Sequence, residues 1–217
     1  MTEKLYYLDS HLFTFDATVL ACREEKQGYS VVLDRTAFFP EGGGQLADTG
    51  TLGPARVLDV HERDGEIRHY TDAPLTVGER VTGQLDAEQR LRRMQDHSGE
   101  HILSGLVHNA YGYDNVGFHM GAECMIIDFS GELSWEQLME LETRANEVVR
   151  QNLPLHIWFP VEDELKTLDY RSKLELTENV RIVEIPGVDR CACCAPHVAR
   201  TGEVGVIKIL VSSSLLR

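Results

Sequence analysis

No stretch of this sequence approaches the roughly 18 consecutive apolar residues that a membrane-crossing helix needs. Its first residues, Met1-Thr-Glu-Lys-Leu, lack the basic-then-apolar pattern of a secretory leader, so the expected location is the cytoplasm. Basic charge is scarce: 21 Lys and Arg stand against 35 Asp and Glu, a formal net charge of −14. That balance excludes wrapping of duplex nucleic acid, where Lys and Arg must displace counterions. A nucleic-acid contact would have to be local. Arg90, Arg92, Arg93, Lys166, Arg171 and Lys173 are candidates for it, although each taken singly reads first as a solvated surface charge. There are five cysteines, an odd count, and three of them crowd into positions 191, 193 and 194. This excludes a disulfide framework and points to metal or redox chemistry. The phosphate-loop ending Gly-Lys-Ser/Thr, the GxGxxG fingerprint and the HExxH zinc-peptidase motif are all missing.

What is present describes an ordinary globular chain, 42% hydrophobic and 26% charged over 217 residues, enough for one large domain or two small ones. Residues 1–85 read as strands and turns. Short apolar clusters (Leu5-Tyr6-Tyr7, Ala17 to Ala21, Val31-Val32-Leu33, Val57-Leu58) alternate with turn signals at Gln27-Gly28, Asp64-Gly65 and Val77-Gly78. A small β-barrel closes such strands without raw edges. Inside this region lies Phe38-Phe39-Pro40-Glu41-Gly42-Gly43-Gly44-Gln45, followed by Asp48-Thr-Gly50. Three successive glycines allow backbone angles closed to other residues and let another chain approach closely, or they form a plain turn.

The pattern changes near residue 86. The expected architecture is α+β, with a β-barrel domain over 1–86 and an α/β domain over 87–217. Asp86 can cap a helix reaching Tyr111, with Gln89 three residues on. On it Leu91, Met94, Ser98, His101 and Gly105 share one face, with Ile102 and Leu106 beside it. Gly99, costing about 1 kcal/mol against Ala in a helix interior, predicts close packing or room for a ligand there. His108 reads as structural. Two strands around Gly121 are expected over 116–129. A capping box at Ser134-x-x-Gln137 should start a helix packed through Leu138, Leu141, Ala145 and Val148 that ends before Pro154. A strand over Leu155 to Phe159, a helix from Val161 to about Leu174, a strand over Val180 to Ile185 and a last strand over Gly205 to Val211 complete the reading.

The chemistry concentrates in His97-Ser-Gly-Glu-His101 and Cys193-Cys-Ala-Pro-His197. Histidines at i and i+4 lie on one helical face, so both imidazoles can reach one point. With Cys193 and His197 they offer a tetrahedral zinc set. Glu100 directly precedes the second histidine, about 100° around the helix from it, so a zinc-peptidase base in its usual place is missing. Four protein ligands usually mark a structural site and three a catalytic one. Either one of the four is therefore weak or displaced on substrate binding, or the ion orients substrate rather than activating water. A knuckle built on Cys191 and Cys194 is an alternative ligand set, without the βαβ setting of a thioredoxin-like motif.

The His-x3-His and Cys-x3-His pairs, together with Thr36 to Gln45, Asp48-Thr-Gly50, Val116-Gly-Phe-His119-Met-Gly121 and Gly187-Val-Asp189, resemble the editing domain of alanyl-tRNA synthetases and its freestanding AlaX-type relatives. The resemblance spans nearly the whole chain. It implies a zinc-dependent hydrolase that removes a wrong amino acid, chiefly serine and also glycine, from the acceptor end of tRNA(Ala). It further implies Zn2+ held by His97, His101, Cys193 and His197, a zinc-bound water as the reacting group, His119 lining the substrate pocket, and Gly42, Gly43, Gly44 and Gln45 at the substrate or between domains. The barrel would resemble that of translation factors, and the second domain the editing fold shared with threonyl-tRNA synthetase. Where the family has Cys-Gly-Gly-Thr-His, this chain has Cys193-Cys-Ala-Pro-His197, keeping both ligands and losing both glycines and the threonine. Two further readings are a non-catalytic zinc-stabilised tRNA-binding module and editing of mischarged threonine tRNA.

Overall fold

The computed structural model of the chain describes residues 2–121, 124–172 and 180–210. It is a mixed α and β protein with a sheet-rich body and few helices. The chain divides into two compact units, Met1–Arg93 and Met94–Arg217, with the division inside helix α1 (Ala87–Tyr111).

The first unit is built from β1 (Glu3–Lys4), β2 (Thr14–Glu24), β3 (Tyr29–Leu33), β4 (Arg35–Thr36), β5 (Gly50–Leu52), β6 (Ala55–Arg63), β7 (Glu66–Thr71) and β8 (Arg80–Leu85). Six of these are hydrogen-bonded in a ring, β2-β3-β7-β6-β5-β8, with β8 returning to β2 as a closed barrel. Strand alternation fills it: Phe15, Ala17 and Val19 of β2 and Val81 and Leu85 of β8 turn inward. Gly83 leaves room for the Phe15 ring, which a Cβ there would meet at 2.4 Å. His69 is wholly buried, and both ring nitrogens have partners, Nδ1 the Val31 carbonyl at 3.0 Å and Nε2 the Thr36 hydroxyl at 2.8 Å. Burial depresses its pKa to about 4, against a smaller opposing effect from the Val31 bond, so the ring is neutral.

The glycine-rich stretch has a structural account within this unit. Phe38 and Phe39 are core residues, and Gly42 and Gln45 exchange two backbone hydrogen bonds of 3.0 Å. Between them Gly43 and Gly44 take φ of 61° and 83°, the two successive left-handed residues of a type I′ turn. The chain then returns through Asp48, whose carboxylate accepts from the Phe39 N–H at 2.6 Å and from Arg90 Nε at 2.9–3.0 Å. Arg90 also donates to the carbonyls of Ser10 and Ala37. It is fully buried, so it is not the surface contact its sequence position suggested; its charge is spent on Asp48. Arg93 is drawn in the same way onto the Ala47 carbonyl.

In α1 the predicted cap is present, the Gln89 N–H donating to Asp86 Oδ1 at 3.0 Å. Positions 97–107 are buried on every side rather than along one stripe. The second unit adds β9 (Asn115–Met120), β10 (Met125–Phe129), α2 (Trp135–Gln151), β11 (His156–Trp158), α3 (Glu162–Leu165), β12 (Ile182–Ile185) and β13 (Asp189–Ala192). Strands β9 and β10 form a hairpin, and β11-β12-β13 an antiparallel sheet. Helix α2 carries the full Ser134–Gln137 capping box and ends on left-handed Asn152. Ile102, Leu103, Leu106 and Val107 of α1 pack on Leu141, Ala145, Val148 and Val149 of α2 and on Ile185, Val188 and Ile207.

Two expected elements differ. The helix from Val161 stops at Leu165, with Val161 supplying no side-chain cap. Arg171 is extended instead, exchanging backbone bonds with Arg190 and Ala192, and Lys173 and Leu174 lie outside the described residues. The segment from Gly205 makes no strand among its described residues. Side chains of α2 take the place of a ladder: Asn146 bonds both the N–H and the carbonyl of Ile207, and Glu142 accepts from the Ile209 N–H. Val211 lies outside the described residues.

Candidate metal centre

Helix α1 presents His97 and His101 one turn apart, with ring centroids separated by 5.5 Å. The segment after β13 brings the other pair. Cys193 is fixed by its N–H on the Arg181 carbonyl at 3.0 Å. The buried Arg181 guanidinium in turn holds the carbonyls of Cys193 and Ala195 at 2.9 and 2.8 Å. His197 then lies 4.8 Å from the His97 ring and 4.6 Å from the His101 ring. Cys193 Sγ is 3.6 Å from His97 Nε2 and 3.3 Å from His197 Nε2. The ligand atoms of all four residues lie within 4.8 Å of one another, a group that can hold a metal ion. The three histidines are all 3% exposed or less, while Cys193 is partly exposed, so the cluster is largely buried and open on the thiol side.

The outer nitrogens of His197 and His101 are oriented from behind. Ser98 Oγ meets His197 Nδ1 at 3.0 Å, and Asp189 Oδ2 meets His101 Nδ1 at 3.0 Å. Asp189 is itself clamped by Arg171 through Nε at 2.8 Å and Nη2 at 3.0 Å. Arg171 is thus a partly buried cation committed to Asp189, not the surface contact expected of it. The approach of Asp189 depends on a glycine: a Cβ at Gly105 would sit 2.4 Å from the Val188 carbonyl oxygen. Gly105 lies one turn beyond His101, so the β12–β13 connection can press against the helix where Asp189 is needed. Gly99, where close packing was expected, has only ordinary contacts near 3.5 Å around an added Cβ.

The electrostatics of Cys193 and His197 match a metal-binding state, a thiolate and a neutral imidazole, whereas a proton on His101 would have to leave before that ring could bind a metal. Burial raises the Cys193 thiol, but His97 and His197 and hydrogen bonds from His101 and His197 outweigh it and hold the thiol well below its usual range. His101 is likewise penalised by burial, yet its bond to Asp189 and the neighbouring Cys193 carry it well above an ordinary imidazole. His197 is pushed down to about 3 by burial, against the attraction of Cys193. Cys191 is raised to about 11, chiefly by burial, and stays a thiol. It groups with His101 and Asp189 rather than with Cys194, which is exposed.

Of the other residues singled out in the sequence, His119 is exposed on β9, and its neighbour Phe118 turns inward, with its ring 5.0 Å from His97. Gly43 and Gly44 are exposed in the first unit, and Gln45 is buried beneath them. Sequence reasoning missed Glu100, which is 5% exposed despite its offset on the helix. Its Oε1 accepts from Ser104 Oγ and Asn115 Nδ2, and its Oε2 stands 3.8 Å from His101 Nε2. The i, i+4 pairing of Glu100 with Ser104 was a legible signal for it.

Two family models match the chain: the "Threonyl and Alanyl tRNA synthetase second additional domain" over residues 180–215 and "tRNA synthetases class II (A)" over residues 7–89. The alanyl-tRNA editing protein AlaX-L of Pyrococcus horikoshii is 36% identical over 97% of this chain and 54% of its own length. The alanine–tRNA ligase of Halorubrum lacusprofundi is 36% identical over 96% of this chain, which spans 24% of that ligase. This chain therefore covers about half of the first relative and a quarter of the second. The alanyl-tRNA editing protein AlaX-M of Methanosarcina mazei is 36% identical over 96% of this chain and 90% of its own length. With that relative matched almost end to end, the chain belongs to the alanyl-tRNA editing protein family.

Proposed function

We propose that this chain is a trans-editing hydrolase that cleaves the ester linking serine, and also glycine, to tRNA(Ala), and that His97, His101, Cys193 and His197 hold Zn2+. The convergence of three imidazoles and a thiolate in one buried cluster carries the reading. The donor set fits zinc, which takes nitrogen and thiolate ligands in tetrahedral geometry. The support behind it also fits, since zinc-bound histidines characteristically bond a carboxylate or another polar group through the second nitrogen. A bound zinc would supply Lewis-acid polarisation of the ester carbonyl or of an attacking water.

The chain's own residues prepare that chemistry. Asp189 and Arg171 fix the His101 ring, Ser98 fixes His197, and Arg181 fixes the loop carrying Cys193. Burial of the three histidines and of Asp189 would limit the water around them, which strengthens charge interactions with the ester. Unit 94–217 would be the deacylase. Unit 1–93 would contribute to tRNA binding through the exposed Gly43 and Gly44, with Gly42 and the buried Gln45 holding their turn, and the exposed His119 of unit 94–217 would contact the acceptor end. A pocket that admits serine and spares alanine needs a polar partner for the serine hydroxyl, which alanine would leave unpaired.

The test incubates the protein with Ser-, Gly- and Ala-tRNA(Ala) and with Ser-tRNA(Thr), with and without chelator. Rapid, chelator-sensitive loss of Ser-tRNA(Ala) and slow or no loss of Ala-tRNA(Ala) is the expected result. Preferential loss of Ser-tRNA(Thr) would assign the chain to mischarged threonine tRNA. One observation favours a second reading. Four protein ligands close a tetrahedral shell, as in structural sites. Binding of tRNA(Ala) without ester cleavage would establish that non-catalytic module.

A further inference from the structure

We propose that Glu100 is the residue that receives the α-ammonium group of the aminoacyl ester, a role that rests on the deacylase reading above. The carboxylate is more than nine-tenths buried, and its two oxygens are used differently. Oε1 is saturated by the Ser104 hydroxyl and the Asn115 amide, which lock the side chain in place. Asn115 Nδ2 also lies 3.1 Å from Ser104 Oγ, closing a three-residue network whose members are all buried. Oε2 has no hydrogen-bond donor among the described residues. It faces His101 Nε2 at 3.8 Å, the nitrogen on the ligand side of the ring, since Nδ1 is held by Asp189. One carboxylate oxygen is therefore held at the edge of the cluster of ligand atoms.

A buried carboxylate is costly unless it meets a donor or a cation. The second carboxylate of the site, Asp189, already has both oxygens engaged by Arg171 and His101. Glu100 thus offers a negatively charged acceptor, its Oε2 met only by the 3.8 Å ion-pair contact with His101, beside the point where an ester carbonyl would be polarised. Among esters, an aminoacyl ester is distinguished by a cation one carbon from its carbonyl. A carboxylate next to the carbonyl-polarising group matches that spacing and ignores the side chain, so one residue serves seryl and glycyl esters alike. It also sets aminoacyl esters apart from neutral ones.

The experiment uses the full chain and a non-hydrolysable probe, 3′-deoxy-3′-(seryl-amido)adenosine, against its counterpart with a hydroxyl in place of the α-ammonium. Affinities are measured by calorimetry for wild type and Glu100→Gln, each with its zinc content determined, and for chelator-treated wild type. A charge-assisted hydrogen bond predicts a preference of about 10- to 100-fold for the ammonium probe in wild type, with or without zinc. Glu100→Gln should erase the preference, weakening the ammonium probe far more than the hydroxyl probe. Equal binding of the two probes by wild type would overturn the proposal whatever the variant does, and so would a Glu100→Gln variant that weakens both probes alike. Hydrolysis of Ser-tRNA(Ala) is followed in parallel. A wild type that hydrolyses it but does not discriminate between the probes sinks the Glu100 role alone. One that discriminates without hydrolysing sinks the deacylase reading alone.

Discussion

Each unit of this protein buries imidazole and charge, and they do so to opposite ends. In the first, His69 has a partner on both ring nitrogens, and Asp48 and Arg90 satisfy one another together with three backbone groups. In the second, His101 and His197 have a partner behind one nitrogen, and the other nitrogen joins His97 and the Cys193 sulfur around a common point. Complete satisfaction marks the first set as scaffold, because nothing is left to offer a ligand. Half-satisfaction marks the second as a site, because protein atoms alone leave the inward donors facing each other.

That contrast can be broken or sharpened by experiment. The largest effect is expected at the scaffold pair. Asp48→Ala leaves the Arg90 guanidinium buried without its counter-ion and should cost about 3–5 kcal/mol of stability by chemical denaturation. The zinc content of folded protein should not change, and a loss of zinc would break the division between scaffold and site. Cys193→Ala should do the reverse, lowering deacylation of Ser-tRNA(Ala) by about 100- to 1,000-fold with loss of the metal. Its circular dichroism should be retained, and unchanged zinc would move the thiolate ligand elsewhere.

The His69 prediction concerns pH. A ring with a folded pKa of about 4 and an unfolded value of 6.5 binds its proton more readily in the unfolded chain. Its contribution to stability is therefore complete above pH 6.5 and is lost as pH falls from 6.5 to about 4, by about 3 kcal/mol in all. Denaturation curves of wild type and His69→Gln should differ in their pH dependence within that window, and parallel curves would show that the ring does not hold its neutral form. The smallest effect is expected behind the metal ligands. Asp189→Asn keeps the shape but weakens the hold on His101, so zinc affinity should fall about 10- to 100-fold by competition with a chelator. Unchanged affinity would make Asp189 a folding residue like Asp48.

Local rules reach far in this chain. The α1 cap, the Ser134–Gln137 box, the β9–β10 hairpin and the i, i+4 pairing of His97 with His101 all depend on neighbours within a few residues, and each is where its sequence signal predicts. The failures share a cause. The helix beyond Leu165 gives way to a backbone pairing of Arg171 with β13, twenty residues away, and the strand after Gly205 gives way to side chains of α2 some sixty residues earlier. Arg90 and Arg171 look like surface charge because their carboxylate partners are distant in the chain.

The sequence by itself determined the residue types that can hold a metal and the helical spacing that aligns two of them, since ligand chemistry and helix pitch are local. Only the tertiary structure decided that Cys191 sits with His101 and Asp189 apart from the exposed Cys194, that Gly105 rather than Gly99 is the point of close approach, and that the Glu100 carboxylate turns one oxygen toward the same space. Those outcomes depend on which distant segments the packed core of α1, α2 and β12 brings within a few ångströms, and no local pattern encodes that distance.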